Sequence, residues 1–338
     1  MAPMIEITVG LPGGKKPLDT RRPIHEVVGL HDQGPSARGS TYYKSLLDCP
    51  REHGLLYQVG LNRTQKSDAL NTGWLFHHAL ETYYKVIYEH QQALIRNARG
   101  AVRYDDIFFH GAESDAARAA WNAIKPVSAE PGFEDIWSET SNVVDHYFDR
   151  YAGVDRWEIL AVEETLEYWG SCRKAFDFTT RLDMVIKDHA DHRMWVVEHK
   201  TTKYLSKDLI DFYDLDLQIC GQMWTLQKTV DLSKYPKLGG VRINIGTKHK
   251  ESQFVRHEVL PSPAHLAAFE DAMMRWVRTR AFQQKEGWPK ALGHCSGYAR
   301  GYAQCQFYEL CRGFPSAKVS DIAAWADAPK GFFFKDRV

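Results

Sequence analysis

The strongest hydrophobic pattern in the chain lies at residues 72–96. Leu75, Phe76, Ala79, Leu80, Tyr83, Val86 and Ile87 recur at three- and four-residue steps, which predicts a long helix with one apolar face. A shorter helix is expected through YYKSLLDC, with Ser40 and Thr41 as caps. Residues 100–135 are mixed and acidic, with short helices and a break at Pro131-Gly132, and residues 136–151 read as a further helix. The period then changes. Trp157–Tyr168, Ala175–Lys187 and Met194–Thr201 are predicted strands, the last two joined into a hairpin by the polar turn His189–Arg193. Helical spacing returns over 208–230, where Leu209, Phe212, Leu215, Ile219, Met223 and Leu226 form a stripe. Two more strands (239–246 and 252–260) precede a long helix over 262–285, with Pro263 in its first turn. Residues 1–38 hold one candidate strand, Ile5–Val9, and are otherwise irregular. No internal repeat and no clear linker is visible. One α/β domain over 39–315 with a helical elaboration, an N-terminal extension (1–38) and a C-terminal tail (316–338) is the economical reading.

Composition narrows the class. With 44% hydrophobic and 25% charged residues over 338 positions, the chain is globular rather than fibrous or disordered. No apolar run approaches the ~20 residues of a membrane span. The first residues lack a charged segment followed by an apolar one, so a secretory signal is not expected. The expectation is a cytoplasmic protein of a bacterial, archaeal or phage-infected cell. Lys+Arg and Asp+Glu both number 43, a balance that argues mildly against coating nucleic acid by bulk charge. That zero is an average: residues 105–165 carry 14 acidic and 4 basic side chains, and residues 193–257 carry 11 basic and 7 acidic ones.

Six cysteines are unevenly placed. Cys295, Cys305 and Cys311 share the tail and Cys49 stands alone near the other end, while Cys172 and Cys220 read as ordinary buried thiols. Three plus one thiolates suit a cubane iron–sulfur cluster or a structural zinc. Three unligated cysteines in a loop-rich tail is the alternative reading.

The candidate chemistry sits on the hairpin. Asp183 lies in its first strand, and Glu198 and Lys200 lie at the end of its second. Side chains alternate along a strand, so Glu198 and Lys200 share a face, His199 points the other way, and Asp183 can meet Glu198 across the pair. Both acids interrupt apolar β runs, LDMVI and MWVVE, where a buried strand prefers no charge. Converging carboxylates are costly unless a cation joins them, and Mg²⁺ or Mn²⁺ is the natural partner of oxygen ligands. A solvated hairpin with ordinary surface charges is the alternative.

RLDMVI followed by WVVEHKTTK resembles the core of the PD-(D/E)XK nuclease superfamily in its RecB-like branch. TGWLFHHALE resembles that branch's upstream motif with His77 at the ligand position, and ILAVEETLEYW resembles its preceding strand with an acidic residue, Glu163 or preferably Glu164. LDLQICGQMW resembles its helix motif, placing Gln218, although Gln222 stands where the branch has a Tyr. Thr180 replaces a Gly before the Arg-Leu-Asp strand. SARGSTYYKSLLDCPREHGL resembles its N-terminal helix, and CQFYELC resembles the closing pair of the iron–sulfur subgroup found in the AddB nuclease domain and CRISPR-associated exonucleases, although the gap between Cys295 and Cys305 is longer than usual there.

The resemblance implies a restriction-endonuclease-like α/β core with a mixed sheet and a metal-dependent DNA exonuclease acting on single strands or duplex ends. His77, Asp183, Glu198 and the His199 carbonyl would hold Mg²⁺ or Mn²⁺, Lys200 would position water, and Gln218 would orient Lys200 or a phosphate. Cys49, Cys295, Cys305 and Cys311 would hold a 4Fe-4S cluster, with Zn²⁺ as the alternative occupant. Glu164, Arg181, Lys203 and Lys207 are candidate DNA contacts. DNA is the implied substrate, with a helicase, recombinase or CRISPR adaptation complex as partner and recombination, repair or phage replication as context. A DNA-binding or complex-forming subunit that uses the fold as a scaffold is the competing reading.

Overall fold

The computed structural model describes residues 38–63, 68–97, 112–129, 133–134, 136–168, 176–249, 251–291, 295, 305–325 and 327–335. The expected strand Ile5–Val9, Cys172 and the Pro131-Gly132 break lie outside them. Five strands form one sheet in sequence order: β2 (Trp157–Tyr168), β3 (Phe178–Asp188), β4 (Arg193–Thr202), β5 (Leu238–Thr247) and β6 (Phe254–Val259). β3 and β4 are the expected antiparallel hairpin, β4 and β5 run parallel, and β5 and β6 are antiparallel. The sheet is therefore mixed and flanked by helices, as a restriction-endonuclease-like fold requires.

The described residues divide into two compact units. The first contains segments 67–166 and 181–265, and the second contains the rest. In the first, helix α3 (Asp68–Asn97) buries Leu75, Phe76, Ala79, Leu80, Tyr83 and Tyr84 against Val143, Val144 and Tyr147 of another helix (Trp137–Tyr151) and against Ile159, Met184, Ile186, Trp195 and Val197 of the sheet. Each such side chain contributes about 1.5–3 kcal/mol when fully buried. β4 and β5 are buried on both faces along most of their length, as a parallel pair inside a sheet should be. Polar residues on them must then find internal partners. Arg242 does so by donating to Asp188 (2.5 Å) and Glu258 (2.9 Å) beneath the Trp195 ring.

Two expectations change. The single helix over 208–230 is broken into Lys207–Phe212, a 3-10 turn Tyr213–Leu215, and Leu217–Thr229. Asp216 ends the 3-10 turn and starts the last helix, where its carboxylate accepts the backbone N–H groups of Gln218 and Ile219. The stripe residues Phe212 and Leu215 are consequently 51% and 72% exposed rather than core. The first helix, α1 (Ser40–Asp48), is preceded by Gly39 with no side-chain cap, and Ser40 lies inside it.

In the second unit, Cys49 ends α1 and opens α2 (Pro50–His53), where Pro50 supplies the preset φ of a first helical residue. Strand β1 (Leu61–Arg63) pairs antiparallel with β7 (Phe332–Phe334), and Leu55, Val59 and Leu61 pack with Cys305, Phe307, Leu310, Val319 and Ile322. Gly60 turns the chain into β1 at φ 74°, and a Cβ there would meet the Lys335 carbonyl at 2.7 Å. Among the described residues no helix is long and apolar enough to cross a membrane.

His53 is fully buried, with Nδ1 3.0 Å from Ser45 Oγ and 3.1 Å from the Tyr42 carbonyl. Burial depresses its pKa to about 4, against the pull of that carbonyl. The unfolded chain therefore takes up a proton near pH 6.5 that the folded chain refuses until about pH 4. Stability should fall by up to about 3 kcal/mol as the pH drops through this window. Urea unfolding at pH 7 and pH 5 should show a shallower acid loss for His53→Gln than for wild type.

Candidate active site

The site is built around β4. Glu198 is 1% exposed, and its carboxylate is held from three sides. Lys200 Nζ donates to Oε1, Gln218 Nε2 donates to Oε1 at 2.7 Å, and Gln222 Nε2 donates to Oε2 at 2.6 Å. Lys200 Nζ also donates to Gln218 Oε1 at 3.1 Å. The glutamines reach Glu198 together because the Asp216 cap fixes where helix Leu217–Thr229 begins, and positions four apart share a helix face. Burial and the nearby Asp183 charge raise the Glu198 pKa against Lys200. Burial works against the Lys200 ammonium, but Glu198 and Asp183 outweigh it, so its pKa is raised.

On β3, the register Met184↔Val197 places Asp183 opposite Glu198. Asp183 Oδ2 accepts the His199 backbone N–H at 2.8 Å and lies 3.2 Å from His77 Nδ1 on α3. Burial disfavours this carboxylate's charge, but His77 overcomes it and holds the pKa low. His77 is opposed by burial and raised by Asp183 in return.

His199 faces the other side of the strand, as alternation requires. It stacks on Tyr84 (centroids 5.8 Å) and its Nδ1 lies 3.3 Å from Asn244 Nδ2. Arg256 donates to Asn244 Oδ1 at 2.8 Å and to Asp155 Oδ2 at 2.6 Å. Burial depresses the His199 pKa to about 3, so the ring stays neutral.

A further carboxylate enters from β2. Glu163 has φ 53°, a left-handed conformation rare for a non-glycine residue and costly enough to mark functional sites. Its carboxylate meets Arg181 Nε at 2.8 Å, and burial followed by the Asp183 charge pushes its pKa up to about 8. Glu164, the residue preferred from sequence, lies near Tyr88 instead, and burial alone raises its pKa. The exposed Lys203 and Lys207 lie beyond the site along the chain, Lys207 3.8 Å from Asp211.

Sequence reasoning missed Gln222, which fills the position where the resembled motif has a Tyr and which donates directly to Glu198. It also missed Tyr213, buried beside the Lys200 charge. The two-residue periodicity of β4 offered no signal for either, since Tyr213 comes from the 3-10 turn and Gln222 from the helix that follow it.

Residues 40–312 match the PD-(D/E)XK nuclease superfamily. The chain belongs to that superfamily. No curated protein matches it. A solved structure from Eubacterium rectale, provisionally named an exonuclease, aligns at 10% identity over 82% of this chain and 87% of its own, with TM-score 0.41. A second, the protein SSO0001, aligns at 10% identity over 59% of this chain and 84% of its own, with TM-score 0.27.

Nucleases of this superfamily usually use Mg²⁺ or Mn²⁺. Among the described residues no three His, Cys, Asp or Glu side chains are gathered on one cation position. The donor set nevertheless fits such an ion. Asp183 raises the pKa of both Glu163 and Glu198, a repulsion between buried carboxylates that a hard cation would relieve.

The second unit carries a separate sulfur set. Cys49 and Cys305 are buried at 3% exposure. The Cys295 thiol is pushed up by burial and then by Cys49 and Cys311, so three of the four thiols lie in electrostatic reach of one another. Arg51 is 4% exposed, and its Nε and Nη2 have no hydrogen-bond partner among the described residues. A buried guanidinium beside thiols suits an anionic thiolate-bound group better than neutral cysteines. Cys220 belongs to the first unit, in helix Leu217–Thr229, where burial pushes its thiol up to about 11.

Replacing Gln222 with Leu leaves Glu198 Oε2 without its donor. Gln222→Leu should weaken divalent-ion affinity or turnover about 10- to 100-fold, read by calorimetric Mn²⁺ titration and by nuclease assay.

Proposed function

We propose that the protein is a divalent-metal-dependent deoxyribonuclease that degrades DNA from ends, as an exonuclease on single strands or on duplex termini. The buried Glu198 held between Lys200, Gln218 and Gln222, with the Asp183–His77 pair beside it, carries this reading. Burying carboxylates costs stability, and a pure scaffold gains nothing from keeping them.

In this reading His77, Asp183, Glu198 and the His199 backbone carbonyl hold one or two Mg²⁺ or Mn²⁺ ions, with Glu163 as a neighbouring carboxylate. A bound ion lowers the pKa of water and draws charge from the phosphate oxygens. Lys200 donates to Glu198 and to Gln218 beside this set. It orients the attacking water and offsets charge on the phosphate. Gln218 bonds both Lys200 and Glu198 and sets the reach of the ammonium. The water oxygen bonds to phosphorus and releases a proton to solvent, the P–O ester bond breaks, and the departing sugar oxygen takes up a proton from solvent. Arg181, Lys203, Lys207 and Glu164 are assigned to the DNA path. Processes that generate DNA ends, such as recombination, repair, phage replication or CRISPR adaptation, supply the substrate, and a helicase or recombinase is the kind of partner that delivers it.

Digestion of labelled linear DNA with Mn²⁺ should be abolished by Lys200→Ala and by Asp183→Ala. Equal activity in all three proteins would remove the site. Linear DNA should be degraded and covalently closed circles spared; rapid cutting of circles would make the enzyme an endonuclease.

We also assign a 4Fe-4S cluster to Cys49, Cys295, Cys305 and Cys311, over the zinc alternative. Its role is architectural, because Cys49 and Cys295 are 246 residues apart and joining them removes much unfolded-state entropy. Protein purified anaerobically should be brown and contain iron, and Cys305→Ala should lose both colour and iron. A colourless wild type containing zinc would replace the cluster by zinc.

A further inference from the structure

β4 and β5 are parallel and leave the sheet together, with Thr202 opposite Thr247 and Lys248 N donating to the Thr202 carbonyl at 2.8 Å. Ligands of open α/β sheets gather at such carboxyl ends. A groove of ≈490 Å³ opens there, lined by Tyr204, Leu205, Thr247, His249, Glu251 and Gln253. Its size falls in the range of small-ligand sites, about 300–1,000 Å³. It begins four residues beyond Lys200, about 13 Å of extended chain.

The walls are aromatic and pre-set. Tyr204 is 63% exposed, and its ring lies 5.5 Å from that of His249 at 49°. Thr202 Oγ1 donates to the Tyr204 carbonyl at 3.0 Å, and Ser252 Oγ donates to the His249 carbonyl at 3.0 Å. Gln253 N donates to Thr247 Oγ1 at 2.8 Å, which closes the turn between β5 and β6. Lys203 Nζ stands 5.5 Å from the Tyr204 ring centre. The local charge does not suit a phosphate-only site, because Asp208, Asp211 and Glu251 are exposed in the same stretches. An exposed aromatic pair with one lysine and a carboxylate suits a nucleobase: the rings take its face, Lys203 its phosphate, and Glu251 its N–H edge.

We propose that the groove lined by Tyr204 and His249 stacks an unpaired nucleobase of the DNA strand on the exposed Tyr204 face, a few nucleotides from the bond cut at Lys200. The inference rests on the nuclease reading and sharpens it: the preferred substrate has a single-stranded end, since paired bases keep their faces inside the duplex stack.

The test is equilibrium binding of a short fluorescein-labelled single-stranded oligonucleotide in EDTA, where no cleavage occurs. Tyr204→Ala should weaken binding about five- to a hundred-fold, while Tyr204→Phe, which keeps the stacking face, should bind as wild type does. His249→Ala should weaken it in the same direction. A strand of abasic sites should bind wild type as weakly as the intact strand binds Tyr204→Ala, and a blunt duplex should not distinguish the proteins. Equal affinity of wild type and Tyr204→Ala for the intact strand, or equal binding of abasic and intact strands, would overturn the groove. Because Tyr204 is largely exposed, unfolding of the variant is not expected, and thermal melts check this. Base-dependent binding without any cleavage in Mn²⁺ would retain the groove and reject the nuclease reading; cleavage with Tyr204-independent binding would do the reverse.

Discussion

The Glu198 carboxylate governs the arrangement of the first unit. It is a charge in a strand buried on both faces, and such a charge survives only with its lone pairs satisfied. Lys200 supplies the counter-charge from the same strand face, and Gln218 and Gln222 supply two neutral donors from the next helix. That helix can offer them only because Asp216 fixes its first turn. A change of helix start by one residue would rotate both amides away. The broken helix over 207–229 is therefore tied directly to the chemistry, and so is the departure from the Tyr of the resembled motif.

The reverse face of β4 is held as firmly. His199 is neutral in an aromatic pocket, and the polar line from Asn244 through Arg256 to Asp155 gives its ring nitrogen a neighbour and anchors β5 and β6 behind it. Both faces of one strand are thus pinned by side-chain hydrogen bonds. The His199 backbone N–H can then be aimed at Asp183 without freedom to drift. Fixing a reactive group through its supporting partners is the usual way a site reaches working precision.

The second unit solves a different problem. Its apolar cluster is smaller, and it joins segments from opposite ends of the chain through the β1–β7 pair and the packing of Leu55, Val59 and Leu61 on Phe307 and Leu310. Cys49 sits at the α1–α2 junction, so the sulfur at this position is presented by backbone geometry rather than by a flexible loop. The buried Arg51, whose Nε and Nη2 have no partner among the described residues and whose charge acts on Cys295, makes the electrostatics of this corner unlike those of an ordinary core.

The sequence by itself determined the α/β class, the long helix over 72–96, the β3–β4 hairpin and the grouping of Asp183, Glu198 and Lys200. These follow from local periodicity and from charges interrupting apolar strands, both readable over a few residues. Gln218 and His77 were legible only through family resemblance, because nothing in a lone glutamine or helix histidine distinguishes it. That the Glu163 carboxylate feels the Asp183 charge, with Glu164 beside Tyr88, was not legible. A regular strand would alternate the two, and the φ of 53° at Glu163 is a backbone distortion that no periodicity encodes. Gln222, Tyr213 and the Asn244–Arg256–Asp155 line were likewise decided by tertiary structure, because they satisfy a buried polar group on a different element. Local pattern sets which residues share a face; the partner that makes a buried charge tolerable is chosen by packing between elements distant in the chain.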